Sequence, residues 1–262
     1  MSLRALGFCG ADDSVSPKLL GVICQSYPLV EFGVLFRPDK EGQPRYATAS
    51  WVERLGEVAS RSNGRMKLAA HLCGGRVNEV LRGDDAFIST LPALGFRRVQ
   101  INATAVNGVD TSSLATAVPS VAALMARHPE LEFILQKNDE TEPLWRGLLE
   151  GGGENMGAAE RLPSNVTMLI DESKGTGVLA SSWPLPPEGY DIGYAGGIGP
   201  ANIQMVLRDV TTAAQDRAFW VDMESSLRST KNGDDVFDID KCYQCIGAAC
   251  DMGIIEHPDY LK

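Results

Sequence analysis

The chain has 262 residues, of which 44% are hydrophobic, and this is enough apolar material for a substantial buried core. It carries 24 Lys and Arg against 34 Asp and Glu, and the resulting net charge of −10 argues against nucleic-acid binding. No apolar stretch approaches the roughly 18 residues of a membrane helix, and residues 1–9 lack the succession of regions that defines a secretion signal. We therefore expect a cytoplasmic protein, away from membranes, whose six cysteines are reduced.

Short runs rich in β-branched and apolar residues recur along the chain, each closed by small or polar residues. Eight of them are predicted as strands, at residues 5–9, 30–36, 67–72, 98–102, 132–136, 166–171, 191–195 and 218–222. Their ends are spaced by about 30 residues, the length of one βα unit. Helical spacing lies between several of these runs, at residues 51–61, 76–81, 118–127, 143–150 and 202–208.

This alternation is typical of a parallel sheet covered on both faces, and eight units are the number at which such a sheet closes. The sequence therefore predicts an α/β fold, a (β/α)8 TIM barrel, formed as one domain by residues 1–262. An open doubly wound sheet is the alternative. The glycine-rich segment 151–157 and the proline-rich segment 181–187 are interpreted as loops between units rather than domain boundaries.

Residues just past the C-terminal ends of barrel strands converge on one mouth, where the active sites of such barrels lie. The polar and ionisable candidates there are Cys9, Arg37, Arg45, His71, Cys73, Gln100, Asn102, Lys137, Asp139, Glu140, Asp171, Glu172, Asp222 and Glu224. After the seventh run, Gly196 and Gly197 directly precede a predicted helix, where exposed N–H groups favour an anion. The same pattern also occurs as ordinary turn chemistry.

Several short segments appear in an order that matches a known family. They are Cys9-Gly10, Gln43-Pro44-Arg45-Tyr46, Val99-Gln100, Leu169-Ile170-Asp171, Gly175-Thr176-Gly177, Trp183, Gly196-Gly197-Ile198-Gly199-Pro200-Ala201-Asn202 and Val221-Asp222-Met223-Glu224-Ser225-Ser226. Together, over nearly the whole chain, they resemble phosphoribosylanthranilate isomerase, a barrel enzyme of tryptophan biosynthesis.

The resemblance implies an Amadori rearrangement of an N-linked phosphoribosyl amine. It makes Cys9 the general base and Asp171 the general acid, which would open the sugar by protonating its ring oxygen. The residues predicted to bind the substrate are Arg45, Gln100, Lys137, Asp222 and Glu224, and those predicted to bind its phosphate are Gly196, Gly197, Ser225 and Ser226. A small-molecule substrate is the expected partner, and no metal or other cofactor is predicted.

The chain also departs from the family. A Ser-Gly pair at the family's phosphate site is Ser225-Ser226 here, and Glu224 precedes it with a negative charge that only a folded-back Arg228 would balance. The family's His-Gly after the fourth strand is Asn102-Ala103. Two alternatives follow: a related barrel enzyme acting on another small sugar or carbonyl compound, and a barrel without catalytic activity.

Other candidate sites have competing interpretations. Lys137 is predicted to form an ion pair, with imine formation as the alternative, and the acidic strand ends are an alternative Mg²⁺ site. We interpret His71 as a hydrogen-bonded structural histidine, with a catalytic role as the alternative. Cys242, Cys245 and Cys250, followed by His257, lack the spacing of a zinc ribbon, so residues 240–252 are predicted as a helix that buries these thiols in the core.

Overall fold

Eight parallel strands close into a barrel in chain order, and β8 pairs with β1 to complete it. The structure is a computed structural model that describes residues 3–151, 162–171, 173–174, 176–187 and 189–258. The strands are β1 (Leu3–Cys9), β2 (Val30–Phe36), β3 (Lys67–Leu72), β4 (Arg98–Ile101), β5 (Glu132–Lys137), β6 (Val166–Ile170), β7 (Ile192–Tyr194) and β8 (Phe219–Met223). Each coincides with a predicted run to within two residues at either end, so the predicted (β/α)8 barrel is confirmed.

Helices cover the outside of the barrel. They are α1 (Pro17–Ser26), α2 (Ala49–Ser60), α3 (Gly75–Leu81), α4 (Leu114–Arg127), α5 (Glu142–Gly151), α6 (Ile203–Ala214) and α7 (Ile239–Asp251). The sequence reasoning missed α1, although Leu20, Ile23 and Cys24 bury one face of it. The predicted loop at 181–187 is irregular backbone, whereas most of the predicted loop at 151–157 falls outside the described residues. No helix in the described ranges is both long and apolar enough to cross a bilayer.

A two-stranded hairpin separates β8 from α7 and was not predicted. It pairs β9 (Arg228–Lys231) with β10 (Asp234–Phe237) in antiparallel register. Asn232 and Gly233 form the turn with φ values of 55° and 92°, the left-handed conformation that a two-residue hairpin turn requires. The hairpin packs on the barrel through Phe237, whose ring lies 6.3 Å from that of Phe32.

The last helix, α7, buries the three thiols near the C-terminus as predicted. Cys242 and Cys245 are inaccessible to solvent, and Cys250 is 6% exposed. Burial raises the pKa of Cys245 to about 12, so the thiol is neutral and packs as a small hydrophobic group. His257 lies after the helix and is exposed.

Trp220 on β8 fills the middle of the barrel. It is 1% exposed and packs with Ala5, Ile134 and Leu169, which point inward from β1, β5 and β6. A Cβ atom at Gly193 would lie 2.1 Å from the indole, so the neighbouring strand β7 needs a glycine at this point. The indole thus divides the barrel interior into a floor at the N-terminal ends of the strands and a mouth at their C-terminal ends.

The floor is a network of ion pairs. Arg98, whose side chain is 10% exposed, binds Glu31 at 2.7 Å and Glu132 at 3.0 Å, and Arg4 binds the second oxygen of Glu132 at 2.8 Å. The Arg98 guanidinium also lies 4.3 Å from the Trp220 ring centroid. A cavity of about 660 Å³ opens beneath this network, at the end of the barrel remote from the predicted site. Paired charges of this kind at a barrel floor are typical of a structural role.

Candidate active site

The mouth encloses a cavity of about 480 Å³, a size typical of sites for small ligands. Nine of the predicted site residues line it: Arg45, Gln100, Asp171, Gly196, Gly197, Asp222, Glu224, Ser225 and Ser226. Cys9 lies directly behind this lining, because it is hydrogen-bonded to His71 and clusters with Leu35, and both of these residues line the cavity. The structure therefore gathers most of the candidate site around one space.

Cys9 at the end of β1 is hydrogen-bonded to His71 on β3, and the Sγ to Nδ1 distance is 3.3 Å. The two strands flank β2, where Gly33 leaves room for the contact. A Cβ atom at Gly33 would lie 2.8 Å from His71 Nε2 and 3.0 Å from Cys9 Cβ. The sequence predicted a hydrogen-bonded His71 but did not identify Cys9 as its partner, because the two residues are 62 positions apart along the chain.

Both members of the Cys9–His71 pair are neutral at neutral pH. Burial raises the pKa of the Cys9 thiol well above its ordinary value, and the charges of Asp222 and Glu224 raise it further. Burial lowers the pKa of His71 to about 3, with a further contribution from Arg98. We assign the thiol as the donor to an imidazole that carries its proton on Nε2.

Two carboxylates from the end of β8 face the same cavity. Asp222 receives no hydrogen bond from any described residue, and Gly7 provides its space, since a Cβ atom there would lie 2.5 Å from Asp222 Oδ1. Burial raises the pKa of Asp222 well above its ordinary value, and Glu31 and Glu224 add to the effect. Burial likewise raises the pKa of Glu224, although Arg45 opposes the shift.

Arg45 is held in position by a network at the rim. Its backbone is left-handed, with φ at 78°, and its N–H donates to Asp12 at 2.6 Å. Its guanidinium lies 3.2 Å from Glu224 and 3.4 Å from Asp235. Arg228 binds Asp12 and Asp235, both at close range, and the backbone of residue 10. Arg228 therefore forms no ion pair with Glu224. Arg45 is the ion-pair partner of Glu224, and Arg228 adds a smaller effect that lowers the pKa of this carboxyl group.

Asp171 is fixed on the opposite side of the mouth, at the end of β6. Its Oδ2 accepts a hydrogen bond from Gln136 Nε2 at 2.7 Å, and its Oδ1 accepts one from the Ser173 backbone N–H at 3.1 Å. The other amide atom of Gln136, Oε1, is buried and has no partner among the described residues. An oriented carboxylate and an unused amide acceptor thus both lie at the cavity wall.

Backbone donors form another part of the wall. The turn after β7 is left-handed at Gly196 and Gly197, and a Cβ atom at Gly197 would lie 2.5 Å from the Leu179 nitrogen. The backbone N–H groups at 196–198 and 225–226 have no acceptor among the described residues. Asn202 accepts from the Gly199 N–H at 2.8 Å before α6 begins, so the helix starts later than predicted. The free donors belong to the turns rather than to the helix end.

The remaining predicted residues take other places. Gln100 lines the cavity and donates to Asn102 at 2.8 Å. The Lys137 side chain points away from the barrel interior, because the neighbouring residue Gln136 occupies the inward position on β5. The Lys137 ammonium lies 4.7 Å from the Trp145 ring centroid and 3.3 Å from the Tyr190 hydroxyl. This placement gives no support to imine chemistry within the cavity.

The acidic residues that follow β5 also turn away from the mouth. Asp139 is exposed and pairs with Lys174 at 2.8 Å, and Glu140 accepts a hydrogen bond from the Ala105 backbone. Neither of them lines the cavity, and Glu172 lies outside the described residues. The alternative Mg²⁺ site therefore lacks two of its candidate carboxylate ligands, Asp139 and Glu140.

Fold and cavity together define a class: a (β/α)8 barrel with ionisable side chains gathered at the C-terminal mouth, as in enzymes built on this fold. The chain cannot be placed more narrowly by similarity. No protein-family model matches it, and a search of curated proteins finds none similar to it.

Proposed function

We propose that this chain is an isomerase that rearranges a small N-linked sugar phosphate by general acid–base catalysis, in the manner of phosphoribosylanthranilate isomerase. One observation carries the proposal: His71, which is hydrogen-bonded to Cys9, and the oriented Asp171 carboxyl group line a single cavity from different strands. This is the arrangement that a substrate needs if one group protonates its ring oxygen while another removes a proton from a neighbouring carbon.

Asp171 acts first in this mechanism. Its carboxyl group protonates the ring oxygen, the bond from that oxygen to C1 breaks, and the substrate nitrogen forms a cationic imine. Asp222 and Glu224 favour this cation, because both face the cavity and Arg45 offsets only Glu224 among them. An acidic cavity is suited to a substrate that becomes positively charged as it reacts.

Cys9 then removes the proton from C2. Its thiol first passes a proton to His71 Nδ1, and the resulting thiolate takes the C2 proton, which leaves an enol amine. The enol amine becomes the ketone when C1 takes up the proton held by His71 and the enol hydroxyl returns a proton to Asp171, so that all three groups regain their starting states. Burial disfavours the thiolate in the free protein. The adjacent cationic imine favours it, so the base becomes available only when substrate occupies the cavity.

The substrate phosphate is assigned to the backbone donors at 196–198 and 225–226. Turns that present several free N–H groups bind anions without a side-chain cation. Arg45 also donates to the Ser225 hydroxyl at 3.2 Å and lies at the edge of this region. The position of Glu224 beside it favours a second candidate, a related substrate without phosphate, which predicts that inorganic phosphate does not compete for the site.

Turnover of phosphoribosylanthranilate by the purified chain, followed by fluorescence, tests the proposal. Asp171→Asn and Cys9→Ser are each expected to lower kcat by about 10²–10⁴-fold, the usual contribution of a general acid or base. Lys137→Met, which alters a side chain outside the cavity, should leave turnover unchanged. Absence of turnover in the wild-type protein, or full activity in Asp171→Asn, would exclude this assignment.

A further inference from the structure

Three donor atoms from three different strands converge beneath the mouth. The Cys9 sulfur, a ring nitrogen of His71 and a carboxylate oxygen of Asp222 all lie within 4.8 Å of one another. We propose that these residues form a binding site for a thiophilic divalent cation, of which Zn²⁺ is the typical example. Sequence spacing could not reveal such a site, because each ligand lies on a separate βα unit.

The ligand types fit this ion. Thiolate, imidazole and carboxylate are its protein ligands, and catalytic zinc sites use three of them and leave a fourth position open. With metal bonds of about 2.3 Å to sulfur and about 2.0 Å to nitrogen, a tetrahedral ion separates the two donors by about 3.5 Å. The observed distance from Cys9 Sγ to His71 Nδ1 is 3.3 Å. Two of the ligands therefore already have the spacing that the ion requires.

The third ligand is free to complete the site. Asp222 accepts no hydrogen bond from a described residue, so a shift towards an ion would break none there. The negative charges of Glu31, Glu224 and Asp171 all repel a carboxylate at Asp222. A divalent cation would replace this repulsion with attraction.

The open side of the site faces the cavity. His71 and Asp222 both line it, so the fourth position of the ion would be reached from the mouth. Binding converts the Cys9 thiol to a metal-bound thiolate and releases its proton to solvent, so affinity should increase with pH. One consequence rests on the proposed function: a loaded site removes Cys9 from acid–base catalysis and therefore inhibits turnover.

Titration of the chelator-treated full chain with Co²⁺ tests the site by absorbance. We expect one equivalent to bind with a sulfur-to-cobalt charge-transfer band and with the visible bands of a four-coordinate ion, and Zn²⁺ should abolish both. Cys9→Ser should remove the charge-transfer band. His71→Gln and Asp222→Asn keep the thiol and should weaken binding at least about tenfold.

Two matched thiol variants serve as controls. Cys73→Ser changes the buried thiol that packs beside Cys9, and Cys245→Ser changes one of the buried thiols of α7; both should retain the band. A charge-transfer band that persists in Cys9→Ser, or no band in the wild-type protein, would overturn the proposal. Because these measurements need no substrate, their outcome is independent of whether the apoprotein turns over phosphoribosylanthranilate.

Discussion

The two ends of this barrel differ in whether their buried carboxyl groups have charged partners. At the floor, Arg98 and Arg4 neutralise Glu31 and Glu132 through ion pairs of 2.7 to 3.0 Å. At the mouth, Asp222 has no hydrogen bond from a described residue, and burial raises its pKa. The floor carboxylate Glu132 shows the reverse, because Arg98 and Arg4 outweigh its burial and lower its pKa.

This contrast separates stability from function along one axis. Removing one member of a buried ion pair is costly, because it leaves the other charge buried without a partner. Buried ionisable groups without a partner in the chain have shifted pKa values and are typical of ligand-binding and catalytic sites. The floor is therefore expected to respond to substitution through the free energy of unfolding. The mouth is expected to respond through ligand binding and proton affinity.

Removal of the central floor cation should have the largest effect on stability. Arg98→Met leaves the buried Glu31 without its ion-pair partner, and the expected loss is about 3–5 kcal/mol in the free energy of unfolding, measured by urea denaturation. Arg61→Met is the surface control, because Arg61 and its partner Glu57 are largely exposed; a change within about 0.5 kcal/mol is expected. A loss from Arg98→Met no larger than that control would contradict a structural role for the floor.

A substitution that overpacks the contact between β7 and Trp220, the residue that separates the two ends, should destabilise the protein less than Arg98→Met. Gly193→Ala places a methyl group 2.1 Å from the Trp220 indole, and the expected destabilisation is about 1–3 kcal/mol, measured in the same assay. In contrast, Gly247→Ala in α7 meets no atom within 4 Å and should stabilise the protein by about 0.5–1 kcal/mol, the usual difference in helix propensity. Equal effects of the two substitutions would show that the close contact at Trp220 is not what matters.

At the mouth, the substitution Asp222→Asn should change the free energy of unfolding only in a pH-dependent way. The folded-state pKa of Asp222 lies above its ordinary 3.8, so its ionisation destabilises the folded protein as pH rises through this interval. Asp222→Asn cannot ionise. Its free energy of unfolding should equal that of the wild type near pH 4 and exceed it progressively towards pH 8.

Other groups that face Asp222 titrate in both proteins and largely cancel in this difference. His71, with its pKa lowered to about 3, makes stability rise with pH up to its ordinary value, and Glu224 acts in the same direction as Asp222. Urea titrations at several pH values provide the comparison. A difference between the two proteins that stays flat, or decreases with pH, would show that Asp222 has a charged partner in the fold.

Much of the fold was predictable, because buried parallel strands are continuous apolar runs and their spacing identifies the βα unit. Two elements were missed although local signals existed. In α1, Pro17 occupies the first helical position and apolar residues follow at helical spacing. In the hairpin, Asn232-Gly233 is a strong turn signal, although the flanking Lys231, Asp234 and Asp235 have low strand propensity.

The site was predictable only in part. Position at the C-terminal end of a strand correctly placed Asp171 and Asp222 at the cavity. It failed to distinguish Gln136 from Lys137, because adjacent residues of a strand point to opposite sides and the inward member depends on the register of the barrel. The contact between Cys9 and His71 depends on the same register across three strands, and nothing local in the sequence encodes it.

The tryptophan that divides the barrel also links its two ends. Trp220 excludes solvent from the space above Arg98, and the guanidinium contributes to the lowered pKa of His71 and opposes the raised pKa of Asp222 from across this partition. Glu31, the floor partner of Arg98, raises the pKa of Asp222 more than Arg98 lowers it, so the electrostatic effect on the mouth comes from the floor ion pair as a whole. A substitution at one end would thus change the pKa values of groups at the other end by long-range electrostatics alone, without displacing an atom there.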